Sequence, residues 1–332
     1  MIVVNAAWRG QRTTGQQRYA SEVTRRLLSH PGVVARPART SANRWLAWTQ
    51  VQGLSVSSKD EVLVTLTSRS PVFHRRHVVA VHDHFVLSNP EWYSRRYVLT
   101  HAPVLKAQLR GASGLVFVSE ATRTRHVDLY GGETPAVVAP NGVTAPPLDT
   151  VRPWPLGRPY LLAVASADPR KNIDRLVQAY SSLPPGLRRQ VSLVLVGGTN
   201  STVFAASQDA VDDSSGILKL GYVSDDELWS LYRGARAVVV PSLDEGFGLP
   251  LIEAASLGTP LVVSDIPVFR WIAADRAVYF DPKDVDSIRD GLRRVISDEV
   301  VAVDPAAVRS RFCWDDTAQR VLDLSRRLEV AG

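Results

Sequence analysis

Short runs of branched apolar residues recur along this chain, and most are followed by a stretch in which apolar residues return every three or four positions. A run of four to six Val, Ile or Leu bounded by turn residues fits a strand buried on both faces. The three-to-four spacing fits the inward stripe of a helix. In the first half the pattern predicts strands at Ile2–Asn5, Val62–Leu66, Val78–His82, Gly114–Val118 and Ala136–Val138, with helices over Gly15–Ser29, Tyr97–Arg110 and Glu120–Tyr130. The second half restarts with strands Tyr160–Ala165, Val191–Val196, Ile217–Leu220, Ala237–Val240 and Leu261–Val263. Helices are predicted at Ile173–Leu183, Asp225–Arg233, Pro250–Leu257, Asp284–Ser297 and Trp314–Val330. Strands alternating with helices predict an α/β protein built on parallel sheets.

With 332 residues the chain exceeds the usual size of one core, and the proline-bearing stretch Asp149–Pro159 lacks periodicity, so a linker is expected near residue 150. Apolar residues make up 45% and charged residues 22%, ordinary for a globular protein. No apolar run approaches the roughly 20 residues that span a bilayer, and Met1-Ile-Val-Val-Asn5 starts directly as a strand, so a cytoplasmic protein is expected. Cys313 is the one cysteine and reads as packing; no Cys/His grouping has the spacing of a zinc site. Charge is uneven. Residues 1–150 hold 18 Lys and Arg against 9 Asp and Glu, and the remainder 21 against 24. A basic first half suits phosphorylated acceptors or an anionic membrane surface at its inner face. Its arginines lack the stacking aromatics of a nucleic-acid groove, so no nucleic acid is expected.

The most informative stretch is Glu245-Gly-Phe-Gly-Leu-Pro-Leu-Ile-Glu253, a turn between the strand Ala237–Val240 and a helix opened by Pro250 and closed by Gly258. A loop beyond the carboxyl end of a parallel strand is where open α/β sheets bind ligands. Gly246 and Gly248 permit close backbone approach, and the free N–H groups opening the helix favour a diphosphate. A carboxylate beside such an anion suits sugar or ribose hydroxyls, which donate to it. Upstream, Asp168-Pro-Arg-Lys-Asn172 places Arg170 and Lys171 at a helix start, with Asn172 as its N-cap. Two cations at the positive end of a helix dipole are unfavourable alone, so an anion is expected to offset them.

These segments resemble the retaining glycosyltransferases of family 4, marked by the E-x7-E pattern within a GT-B architecture. The resemblance implies two Rossmann-like doubly wound parallel-sheet domains facing a central cleft. Residues 1–150 would bind the acceptor and 151–312 the nucleotide-sugar donor, and a helix within 313–332 would pack back on the first domain. It implies catalytic roles for Glu245 at the donor sugar, for Arg170 and Lys171 at the leaving diphosphate, and for His82 at a sugar hydroxyl. Substrate contacts fall to Glu253 on the ribose, to Gly246, Phe247, Gly248 and Leu249, to Gly15 in the loop after the first strand, and to Gly197, Val223 and Leu228 near the base. His82 is equally a core or capping residue, and Asp83 or His84 could hold its role. Arg9, Arg12 or Arg18 could take an acceptor phosphate, and an ordinary βα loop explains them as well. Ser119, Asn141-Gly142 and the Asp284-Val-Asp286 string read better as caps and turns. The implied reaction moves a hexose to an acceptor hydroxyl without cofactor or metal. GDP-mannose is the first donor and a UDP-sugar the second, and a lipid-linked saccharide, a free sugar and a natural-product aglycone all stay open as acceptors. A sugar-nucleotide epimerase or hydrolase, or a non-catalytic nucleotide-sugar-binding partner, is the alternative. A nicotinamide dehydrogenase is poorly supported, since no G-x-G-x-x-G follows the first strand.

Overall fold

A computed structural model describes residues 1–11, 14–37, 44–53, 60–68, 70–71, 73–164, 166, 168–198 and 216–330, with the side chains of 44–48 left aside. By its internal contacts the chain divides into two units. One comprises Met1–Ser88, Arg95–Gly142 and Phe312–Gly332, the other Asn89–Ser94 and Val143–Arg311.

In chain order the elements of the first half are β1 (Ile2–Asn5), α1 (Gly15–Leu27), β2 (Val33–Arg36), α2 (Arg44–Gly53), β3 (Val62–Thr65), β4 (His77–Val81), α3 (Phe85–Ser88), α4 (Arg95–Gly111), β5 (Gly114–Phe117), α5 (Glu120–Tyr130) and β6 (Ala136–Val138). Those that follow are β7 (Tyr160–Val164), α6 (Ile173–Ser181), α7 (Pro185–Arg188), β8 (Ser192–Val196), β9 (Ile217–Gly221), α8 (Asp225–Gly234), β10 (Ala237–Val240), α9 (Leu249–Ala255), β11 (Leu261–Ser264), α10 (Pro267–Ala273), β12 (Val278–Phe280), α11 (Val285–Ile296), α12 (Pro305–Arg311) and α13 (Trp314–Val330). Each unit holds one parallel six-stranded sheet, ordered β2-β1-β3-β4-β5-β6 in the first and β12-β11-β10-β7-β8-β9 in the second.

Strand burial follows the sequence pattern. In the second unit Leu161, Leu193, Val239 and Val262 meet Leu176 and Tyr180 of α6 and Leu292 of α11 in one buried cluster on one sheet face. Helices α8 and α9 pack on the neighbouring strands β7, β10 and β11. Chain order reverses between β7 and β10, so the loops leaving these two adjacent strands diverge and open a crevice, the switch point of a doubly wound sheet. In the first unit the corresponding reversal lies between β1 and β3.

The differences from the sequence reading are local. Strands β2 and β12 were not anticipated: Val33–Arg36 ends on a charge, and Val278–Phe280 is three residues long. Strand β4 starts one residue early, because the buried His77 ring finds Thr65 Oγ1 at 2.9 Å. It ends at Val81, so His82, Asp83 and His84 lie beyond the strand and strand alternation does not set their directions. Helix α9 is shorter than Pro250–Leu257. Ala165 and Arg12 lie outside the described residues.

The last helix belongs to the first unit. Trp314 opens α13, is buried, and meets the Tyr19 ring edge-on at 5.9 Å, while Thr317 Oγ1 donates to the Pro140 carbonyl at 2.6 Å. Arg26 on α1 and Asp315 on α13 add an ion pair. Gly142 is what admits the indole: a Cβ there would stand 2.5 Å from Trp314 Cγ and 2.7 Å from its backbone nitrogen. Gly142→Ala is therefore expected to destabilise the protein by about 1–3 kcal/mol in urea unfolding. An unchanged midpoint would show that α13 does not depend on this contact.

Candidate active site

The switch point of the second sheet collects the charged residues singled out in the sequence. Leaving β10, Pro241 and Ser242 turn the chain so that the Glu245 side chain comes back, 7% exposed, toward the loop leaving β7. There Pro169–Lys171 form a single 3-10 turn, whose first free N–H, that of Arg170, is taken by Asp168 Oδ1 at 2.9 Å. Arg170 Nη1 donates to Glu245 Oε2 and Lys171 Nζ to Glu245 Oε1, both at 2.6 Å, and Ser242 Oγ donates to Oε1 at 2.8 Å. Arg170 also donates from Nη2 to Asp168 Oδ2 at 2.9 Å, so its guanidinium joins two carboxylates. The Leu243 N–H reaches the Arg170 carbonyl at 2.8 Å, fixing the two loops to each other through backbone.

This geometry changes two expectations. The anions that offset Arg170 and Lys171 are the protein's own Glu245 and Asp168. Asn172 is not a side-chain N-cap: its backbone is left-handed at φ 57°, and its Nδ2 donates to the carbonyls of Pro241 at 3.0 Å and Pro282 at 2.7 Å. It ties together the loops that leave β7, β10 and β12.

Burial raises the Glu245 carboxyl pKa, but Arg170, Lys171 and the Ser242 hydroxyl outweigh it and hold the group down at about 2. It is an anion at any physiological pH, with short charge-assisted bonds to donors that a stronger anion could claim.

The glycine turn follows. Gly248 has φ 122°, and a Cβ on it would stand 2.8 Å from Phe269 Cε1, so both conformation and space require glycine. Phe247 is buried with its ring edge-on to Trp271, which anchors the turn. Leu249 starts α9 and Pro250 occupies its first turn. Glu253, on that helix and 8% exposed, accepts from Tyr232 Oη at 2.9 Å. Tyr232, Ser242 and Asp168 thus hold the site without having been assigned to it from sequence. Ser242 could have been found as the polar residue just past a buried strand. A tyrosine on the inner face of α8 carries no such signal.

At the ends of β8 and β9, Gly197 has φ 133° and donates its N–H to the Gly221 carbonyl at 2.7 Å. Val223 and Leu228 are half-buried there, on either side of the Ser224–Glu227 capping box that opens α8. Asp284 caps α11 and Ser119 caps α5.

Gly15 and His82 belong to the first unit. Gly15 opens α1, and Ser68 N–H reaches the side chain of the following Gln16 at 3.3 Å, placing the loop at that sheet's own switch point. His82 is held by the Leu66 carbonyl at 2.9 Å and by the edge of Tyr19. Burial lowers its pKa and keeps the ring neutral. His84 is fully buried against His126, so it packs in the core. Arg9 lies 6.0 Å over the Trp8 ring.

Because the Glu245 pKa is depressed, its pairing stabilises the fold fully above its ordinary value of 4.5, and that contribution is lost as pH falls toward 2. Glu245→Gln is expected to lower stability by roughly 1–3 kcal/mol at neutral pH. In urea titrations the gap to wild type should narrow steadily below pH 4.5. A gap of equal size at pH 3 and at pH 7, about four units apart, would mean that ionisation of Glu245 is not its source.

Residues 148–310, which contain the whole cluster, match the family model described as glycosyl transferases group 1. The chain is 29% identical over 269 residues to the O-antigen chain mannosyltransferase B of Escherichia coli, covering 76% of this chain and 71% of that one. It is 27% identical over 277 residues to the O-antigen chain mannosyltransferase RfbU of Salmonella typhimurium, covering 81% and 76%. Among solved structures, the sucrose-phosphate synthase of Thermosynechococcus elongatus superposes with a TM-score of 0.69 at 18% identity, over 100% of this chain and 99% of that one. The architecture is the GT-B pair of Rossmann-like domains, residues 148–310 form a glycosyl transferases group 1 domain, and the chain is a glycosyltransferase similar to bacterial polysaccharide mannosyltransferases.

Proposed function

We propose that the chain transfers mannose from GDP-mannose to a hydroxyl of a saccharide or lipid-linked saccharide, with retention at the anomeric carbon and without a metal. A UDP-sugar is the second donor. The mannosyl preference is supported by the names of the two O-antigen relatives. The observation that carries the chemistry is Glu245, held by Arg170 and Lys171 at the mouth of β10.

In this reading the donor diphosphate takes up Arg170 and Lys171, whose fixed charges oppose the negative charge that grows on the leaving group. The Glu245 carboxylate, released from one or both partners, accepts from the sugar hydroxyls and faces the positive charge developing at the anomeric carbon. The acceptor oxygen attacks from the side the diphosphate leaves, and its proton passes to a leaving phosphate oxygen. Glu253, its second oxygen fixed by Tyr232, accepts from the ribose. The backbone of Gly246, Phe247, Gly248 and Leu249 lies beside the diphosphate, and Gly197, Val223 and Leu228 beside the base. The second unit thereby binds the donor; the first unit, with Gly15 and His82, meets the acceptor and one sugar hydroxyl.

Release of GDP from GDP-mannose should require an acceptor preparation, and Lys171→Ala should lower turnover by about 10²–10³-fold. Full GDP release from donor alone would instead indicate an epimerase or hydrolase, and tight binding without turnover a non-catalytic partner. Retention is read by proton NMR of the product's anomeric signal before it equilibrates. Tyr232→Phe keeps the packing but removes the hydroxyl that holds Glu253, so the donor KM should rise several-fold with kcat nearly unchanged. Equal losses in kcat and kcat/KM would move Glu253 from binding into the reaction.

A further inference from the structure

The first unit carries a surface that the transfer reaction does not use. Helix α4 runs for 17 residues without a single Asp or Glu, and only Gln108 and Leu109 on it are buried. At 3.6 residues per turn, Arg95, Lys106, Arg110 and Arg96 fall within about a 100° arc of its outer face. All four are exposed, and none forms an ion pair among the described residues. In the middle of that arc stands Leu99, 77% exposed.

A second apolar side chain flanks it. Gln108 Nε2 donates to the Ser70 carbonyl at 3.1 Å and Ser113 Oγ to the Arg75 carbonyl at 3.0 Å, which lays the segment from Ser70 to Arg76 beside the carboxyl-terminal end of α4. On it Phe73 is 76% exposed and is followed by Arg75 and Arg76. Elsewhere in this unit the basic residues are largely matched: Arg25 and Arg26 pair with Glu22, Arg26 also with Asp315, and Arg36 with Glu61.

We propose that this face of α4, with Phe73, docks the protein on an anionic phospholipid surface, the arginines and lysine lying among the headgroup phosphates and Leu99 and Phe73 entering the boundary with the acyl chains. Exposed apolar side chains ringed by unpaired cations on a polar, non-spanning helix match the chemistry of a bilayer interface. A nucleic-acid strand would call for aromatic platforms on the same face. Tyr97 is instead stacked on His101 of its own helix at 3.8 Å, on the opposite side. The surface stands apart from the donor site, so its failure would leave the proposed transfer untouched.

The test is sedimentation of the full chain with vesicles of phosphatidylcholine alone, or of phosphatidylcholine mixed with phosphatidylglycerol. Binding should require the anionic lipid and weaken as salt is raised. Charge reversal at Arg95→Glu, Lys106→Glu and Arg110→Glu together should reduce binding by about tenfold or more, and Leu99→Ser by several-fold, with melting temperature retained. The exposed pair Arg326→Glu and Arg327→Glu on α13 should leave binding unchanged. Equal binding to both vesicle types, no binding, or loss in the α13 control but not in the α4 variant would overturn the proposal. So would an α4-dependent affinity for a single-stranded oligonucleotide in the absence of vesicle binding.

Discussion

Everything distinctive in this molecule turns on one carboxylate that is buried, ionised and shared between two cations. A group like Glu245 is tolerated only where its desolvation is offset, and here Arg170, Lys171 and the Ser242 hydroxyl supply the offset. The fold brings them together through sheet topology. Loops leaving adjacent strands on the two sides of the reversal between β7 and β10 have no helix between them, and they can meet over the carboxyl edge. Asn172 then fastens the β7, β10 and β12 loops through their carbonyls. The cations are fixed in place by the same bonds that keep the anion charged.

That arrangement explains why the residues are of these types. A guanidinium at 170 can hold Asp168 and Glu245 at once with a planar fork, whereas the ammonium at 171 acts as a point charge on one oxygen. A diphosphate carries more charge than a carboxylate and can compete for both. The glycine at 248 adds no side chain where Phe269 already fills the space, and it leaves the start of α9 bare for an anion.

Much of this was legible in the sequence because it depends on local rules. Runs such as Ala237–Val240 are strands whether read from pattern or from structure, and Glu245, Gly248 and Pro250 follow from strand-to-helix geometry. What escaped was set by contacts between distant positions. Tyr232 reaches Glu253 across 21 residues, and Asn172 reaches Pro282 across 110, so neither role leaves a trace in its neighbours. The expectation of an external anion for Arg170 and Lys171 came from counting charge along one segment. The structure places an acidic residue from a segment some 75 positions away against both. His82 was assigned to the end of a strand that stops one residue earlier, because a buried His77 begins it.

The most direct test of the account is a crystal structure of the protein soaked with GDP-mannose. The account predicts diphosphate oxygens within hydrogen-bonding distance of Arg170 and Lys171, the Glu245 carboxylate turned to the sugar, and Glu253 on the ribose. A nucleotide bound elsewhere, with Glu245 still paired to both cations, would contradict it.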